Sequence, residues 1–67
     1  MEMTRVNSSA ISAIGYDPSS QKMKIRFNQG ATYDYCRVPQ NVFESFLSAL
    51  SKGRFYDSHI KDKYRCH

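Results

Sequence analysis

Between Lys22 and Arg37, basic and aromatic side chains interleave: Lys22, Lys24 and Arg26 are followed within a few residues by Tyr33 and Tyr35. Rings that stack bases beside cations that neutralise phosphates would let a sheet surface hold a single strand of nucleic acid. A second constellation, Ser51-Lys52-Gly53-Arg54, puts two cations at a helix start, where free N–H groups and the positive dipole end suit an anion. Lys61 and Lys63 follow further along the same helix. Catalytic chemistry finds little to build on. His59 lies near Asp57, but no nucleophile is tied to them by spacing, and Ser8-Ser9 lacks a glycine-elbow context, so no enzymatic activity and no cofactor is expected. Cys36 and Cys66 are too few and too widely spaced for a disulfide scaffold or a four-ligand zinc site, and Cys66-His67 is a weak metal site.

The elements that must position these residues follow from hydrophobic periodicity. Met23, Ile25 and Phe27 alternate with Lys22, Lys24, Arg26 and Asn28, and Tyr33 and Tyr35 alternate with Thr32, Asp34 and Cys36. Both runs have the period of a strand buried on one face, and the Asn28-Gln29-Gly30 loop joins them as a hairpin. Upstream, Ala10–Tyr16 reads as a further strand. The turn Asp17-Pro18-Ser19-Ser20 has Pro at its second position, where the ring pre-sets φ. A loop of residues 18–21 pairs Tyr16 with Met23 and Ile14 with Ile25.

The second turn decides whether the tyrosines face the cations. A two-residue turn would set Tyr33 and Tyr35 opposite Arg26 and Lys24 and bury Asp34 beside Ile25 with no partner, which is costly. A three-residue loop, with Gly30 left-handed as a bulge, pairs Tyr33 with Ile25 and Tyr35 with Met23. It also sets Lys24 against Asp34 on the outer face. A one-residue slip moves every side chain to the opposite face, so burial selects the three-residue loop. The tyrosines are then expected in the core, and Lys22, Lys24 and Arg26 form a basic strip outside it.

Beyond the hairpin, Pro39 suits the first position of a helix. Val42, Phe43, Phe46, Leu47, Ala49 and Leu50 recur at helical spacing through Ser51; Lys52 favours the C-terminal end and Gly53 reads as its left-handed cap. Tyr56, Ile60 and Tyr64, four residues apart, mark a second, shorter helix, with Phe55 as an anchor at the junction. The expected fold is α+β: a three-stranded antiparallel β-meander followed by two helices packed on one face (β-β-β-α-α). It forms a single domain over residues 1–67, with the polar residues 1–9 frayed and 65–67 a tail.

Composition sets the outer bounds. Sixty-seven residues with 40% hydrophobic content and nine aromatics make one small domain, near the lower limit for folding alone. No apolar run approaches the roughly 20 residues that span a bilayer, and the N-terminus lacks the apolar core of a signal peptide, so the expected location is the cytoplasm, with no membrane partner. The net charge is +4, of which residues 52–67 carry +3, a bias toward anionic partners.

With these elements placed, the chain resembles the KTSC domain, a short module found as a stand-alone bacterial and phage protein and at the C-terminus of some lysyl-tRNA synthetases. The resemblance rests on Ser8-Ser9, Ile14-Gly15-Tyr16-Asp17, Ile25-Arg26-Phe27, Gly30 and Tyr33-Asp34-Tyr35. It continues through Val38-Pro39, the run Ala49–Phe55, Ile60-Lys61 and Tyr64. A central Tyr-x-Tyr is the family's recognisable feature; Asp57, where Asn is more typical, and the Cys66-His67 end depart from the pattern. The resemblance implies RNA binding only as a suggestion prompted by the synthetase fusion. Two readings stay open. The first is a non-enzymatic module binding RNA or another phosphate-rich ligand through Lys24, Arg26, Lys52, Gly53, Arg54, Lys61 and Lys63. The second is a homo-oligomeric or adaptor module contacting a host protein, or one sequestering a nucleotide, of the kind a phage might carry.

Overall fold

A computed structural model describes residues 2–66. Its sheet has four antiparallel strands in sequence order, β1 (Met3–Arg5), β2 (Ile11–Asp17), β3 (Lys22–Phe27) and β4 (Thr32–Tyr35). The fourth strand corrects the three-stranded expectation. Met3-Thr4-Arg5, read as part of a frayed end, pairs along β2, with Thr4 opposite Ile14 and Arg5 opposite Ala13. Three exposed residues carry no burial pattern to reveal them; β1 forms because the backbone groups on the outer edge of β2 need partners.

The two central hairpins have the register that burial demands. Tyr16 faces Met23 and Ile14 faces Ile25; Tyr35 faces Met23, Tyr33 faces Ile25, and Lys24 faces Asp34. Gly30 closes the second loop at φ 103°, a left-handed conformation that costs glycine little. In the first turn Asp17 Oδ1 accepts the Ser19 hydroxyl and backbone N–H, and these bonds hold its carboxyl below the usual range.

Helix α1 (Gln40–Ser48) and a second helical segment cover one face of the sheet. The second segment begins as α2 (Lys52–Phe55) and widens into a π-helical turn over Tyr56–Ile60. Tyr16 stacks on Phe43 at 4.6 Å, Phe27 meets Tyr56 edge-on at 5.3 Å, and Phe46 stacks on Phe55 at 5.3 Å, so strands and both helical segments share one core. Ile11, Ile14, Met23, Ile25, Val38, Phe46 and Ile60 are fully buried in it. The Tyr16 hydroxyl ties the sheet to the approach to α1 by donating to the Val38 carbonyl at 2.6 Å.

The helix boundaries differ from the periodicity reading. Pro39 is extended (ψ 148°) and caps α1 instead of opening it; its carbonyl accepts from Val42 and Phe43. The helix stops at Ser48, because Ala49 is already extended and Ser51 begins a new helix by accepting the Arg54 N–H. Leu50, placed on the apolar face by its spacing, is therefore fully exposed. Gly53 is not a left-handed cap. It lies inside α2, where an added Cβ would sit 3.7 Å from the Ala10 Cβ, an ordinary contact. Gly53→Ala is therefore expected to stabilise the fold, by less than the roughly 0.5–1 kcal/mol that glycine costs in the middle of a helix, because Gly53 lies in the first turn. A lower urea midpoint for this variant would contradict that placement.

The C-terminal residues are also more than a tail. The Tyr64 carbonyl accepts the Cys36 N–H at 2.8 Å, Arg65 pairs with Asp62 at 2.6 Å, and Cys66 forms a disulfide with Cys36. The two cysteines were too distant in sequence to suggest pairing, yet the fold brings their Cα atoms to 4.7 Å across 30 residues. His67, the other half of the weak metal site, lies outside the described residues, and the Cys66 thiol is used in the disulfide.

Candidate functional site

Because facing residues in a sheet point to the same side, the pairing registers lay out the outer face in rows. One row runs Arg5, Ala13, Arg26, Thr32; the next runs Met3, Gly15, Lys24, Asp34; and Asp17 faces Lys22 beyond them. The middle of this face is floored by the small residues Ala13 and Gly15, both buried under their longer neighbours. Arg5 and Arg26 stand two strand spacings apart, about 10 Å at the backbone. They line a hollow of about 420 Å³ with Ser12 and Asn28. A bulge between Ile11 and Ala13 sets Ser12 into this rim, where its hydroxyl donates to the Arg26 carbonyl at 3.1 Å.

The charges here are not equivalent. Lys24 pairs with Asp34 at 3.7 Å across the strands, a solvated contact that contributes little stability. Among the described residues Arg5 and Arg26 have no acidic partner, and both are exposed. Two guanidiniums over a small-residue floor are suited to bidentate recognition of phosphate. Arg5 was missed because β1 was missed; the alternation of Met3 and Arg5 about Thr4 was its only signal.

The remaining sequence candidates are spread over other surfaces. Lys52 Nζ donates to the Ala49 carbonyl at 2.6 Å, so its charge is partly used in closing the end of α1. Lys52 and Gly53 line a small polar hollow of about 190 Å³ with Ser8, Ser9 and Ser51. Two of the hydroxyls there already serve the backbone: Ser8 accepts from Ala10 and Ile11, and Ser51 from Arg54. Arg54, Lys61 and Lys63 are exposed. Lys63 borders a different hollow, between α1 and the second helical segment, with Asn41, Ser45 and His59. His59 lies against the Phe55 ring at 4.5 Å. Thus Lys24 and Arg26 meet on one face, Lys52 and Gly53 in another hollow, and Lys63 in a third.

A larger groove, about 890 Å³, follows the free edge of β4 and takes lining from both faces of that strand, including Lys22, Tyr33, Tyr35, Tyr56 and the disulfide. Here the core expectation for the tyrosines holds for one of them. Tyr35 is buried, its hydroxyl 2.8 Å from that of Tyr56, and burial, with this bond, raises its phenol well above the ordinary value. Tyr33, on the strand at the sheet edge, is 52% exposed. Among the described residues no cluster of His, Cys, Asp or Glu could hold a metal ion, and no helix is long and apolar enough to cross a membrane.

Known proteins resemble this chain in sequence and in fold. A crystal structure of a KTSC domain protein from Yersinia pestis superposes with a TM-score of 0.92 at 44% identity, covering 94% of this chain and 89% of that one. A protein of Tsukamurella paurometabola is 49% identical over 63 residues, 94% of each chain. A lysine–tRNA ligase of a Nostoc species is 35% identical over 57 residues, 85% of this chain but 10% of the ligase. The KTSC domain pattern itself matches residues 7–64, and with these relatives it shows that the chain belongs to the KTSC domain family.

Proposed function

We propose that the chain is a non-enzymatic binding module for RNA, or another phosphate-rich ligand, held on the outer face of the sheet by Arg5, Lys24 and Arg26. The observation that carries this reading is the hollow between Arg5 and Arg26, two cations without an acidic partner among the described residues, over a floor of small residues. Lys52, Arg54, Lys61 and Lys63, spread over other surfaces, add long-range attraction, in keeping with the net charge of +4. The relatives named as lysine–tRNA ligases, which act on an RNA by that name, support the same ligand class.

The test is a salt series of binding curves with a labelled single-stranded RNA. The double variant Arg5→Gln, Arg26→Gln should bind more weakly and reduce the slope of log K against log salt by about 0.7 per lost phosphate contact. Affinity that is flat from low to physiological salt, or absent at micromolar protein, overturns the reading. A second reading, a homo-oligomer or adaptor to a host protein, is favoured by one observation: the sheet order leaves β1 and β4 as edge strands, each a template for pairing with another chain. A monomeric mass by light scattering argues against the oligomer, and a melting point independent of concentration argues the same way.

A further inference from the structure

We propose that the groove along the free edge of β4 holds a nucleobase of a single-stranded RNA, stacked on Tyr33, while the strand's phosphates run past Lys22 and Arg26. This rests on the nucleic-acid reading above and narrows it to single strands. Four features of the structure support it.

Tyr33 is the one ring of the Tyr33/Tyr35 pair left half-exposed, and Phe27 braces it edge-on at 5.8 Å, so little freedom is lost when a base stacks on it. The floor is polar. Tyr35 and Tyr56 share one hydrogen bond at 2.8 Å, so whichever hydroxyl accepts keeps a proton to offer a base carbonyl or ring nitrogen. The acids in the lining are already matched, Asp34 by Lys24 and Asp62 by Arg65, which leaves Lys22 as the lining cation without an ion pair among the described residues.

Continuity gives the fourth. Lys22, Lys24 and Arg26 alternate along β3 and so point to one side, a line of about 13 Å from the groove to the hollow beside Arg5. A strand laid along this line can turn one base round the β4 edge onto Tyr33. A base-paired duplex cannot, because its bases are stacked inside.

The experiment compares a labelled mixed-sequence oligoribonucleotide, the same sequence as a duplex, and an abasic oligomer of equal charge, at fixed salt. Wild type should bind the single strand more tightly than the duplex or the abasic oligomer. Tyr33→Leu should weaken single-strand binding roughly 5- to 150-fold, the range for one stacked base, and leave the other two unchanged. Tyr33→Phe, which keeps the ring, should bind as wild type does. If Tyr33→Leu binds the single strand normally, or loses all three probes equally, the stacking site is overturned while the basic face stands. If wild type binds none of the three, the nucleic-acid reading falls with it. Capture of an extended peptide along β4 without affinity for the single strand would also overturn the proposal.

Discussion

Removing the Cys36–Cys66 bridge, by a dithiol or by the double variant Cys36→Ser, Cys66→Ser, is expected to cost about 3–4 kcal/mol, the loop-closure entropy of a chain segment of this length. A domain of this size has roughly 3–10 kcal/mol of stability in total. The loss should therefore appear as a fall in melting temperature of about 15–25 °C. Two consequences separate this from a general weakening. Among the described residues beyond Ile60 there is no regular structure, and their hydrogen-bonded and covalent tie to the end of β4 is the disulfide plus the bond from the Cys36 N–H to the Tyr64 carbonyl. Reduction should therefore speed amide exchange first in the last residues, and only later in β2 and β3. Arg65, Asp62 and Cys66 also wall the groove beside Tyr33, so the reduced protein should lose single-strand affinity before it loses the Arg5 and Arg26 face. Melting curves with and without reductant settle the magnitude. A shift of only a degree or two would mean that Tyr64 packing alone holds the segment.

Phe46→Ala should be comparably severe. Phe46 is the largest fully buried side chain, and its stacking on Phe55 joins α1 to α2 beneath the sheet. Truncation removes the ring's transfer free energy and leaves a cavity that two short helical segments cannot collapse to fill, costing about 3–5 kcal/mol. Urea denaturation should show a much lower midpoint, or a chain unfolded without denaturant. Phe46→Leu, which retains most of the volume, should lose clearly less. If the alanine variant lost under about 1 kcal/mol, the α1–α2 contact would not be part of the cooperative core.

How much of this was legible beforehand depends on the range of the forces involved. Met23, Ile25 and Phe27 against Lys24 and Arg26 is a local parity, and a carboxylate at Asp34 cannot be buried cheaply, so the register of the second hairpin followed from a few neighbouring residues. The turn at Asp17 and the left-handed Gly30 are local chemistry for the same reason. The helix boundary was not legible. Ala49 and Leu50 keep the helical spacing, but Ser51 can cap a new helix, and the fold takes that option because it turns Phe55 back onto Phe46.

The Lys22–Arg37 interleaving thus had two halves. Sequence alone determined which side chains share a face, since alternation in a strand depends only on the backbone and the cost of burying charge. Tertiary structure alone decided what each face meets. Placing β4 at the sheet edge left Tyr33 exposed, pairing β1 with β2 brought Arg5 opposite Arg26 across Ala13, and folding the C-terminus back brought Cys66 to Cys36. Each of these joins residues far apart in the chain, where no local period carries information and only the closure of the whole core sets the contact.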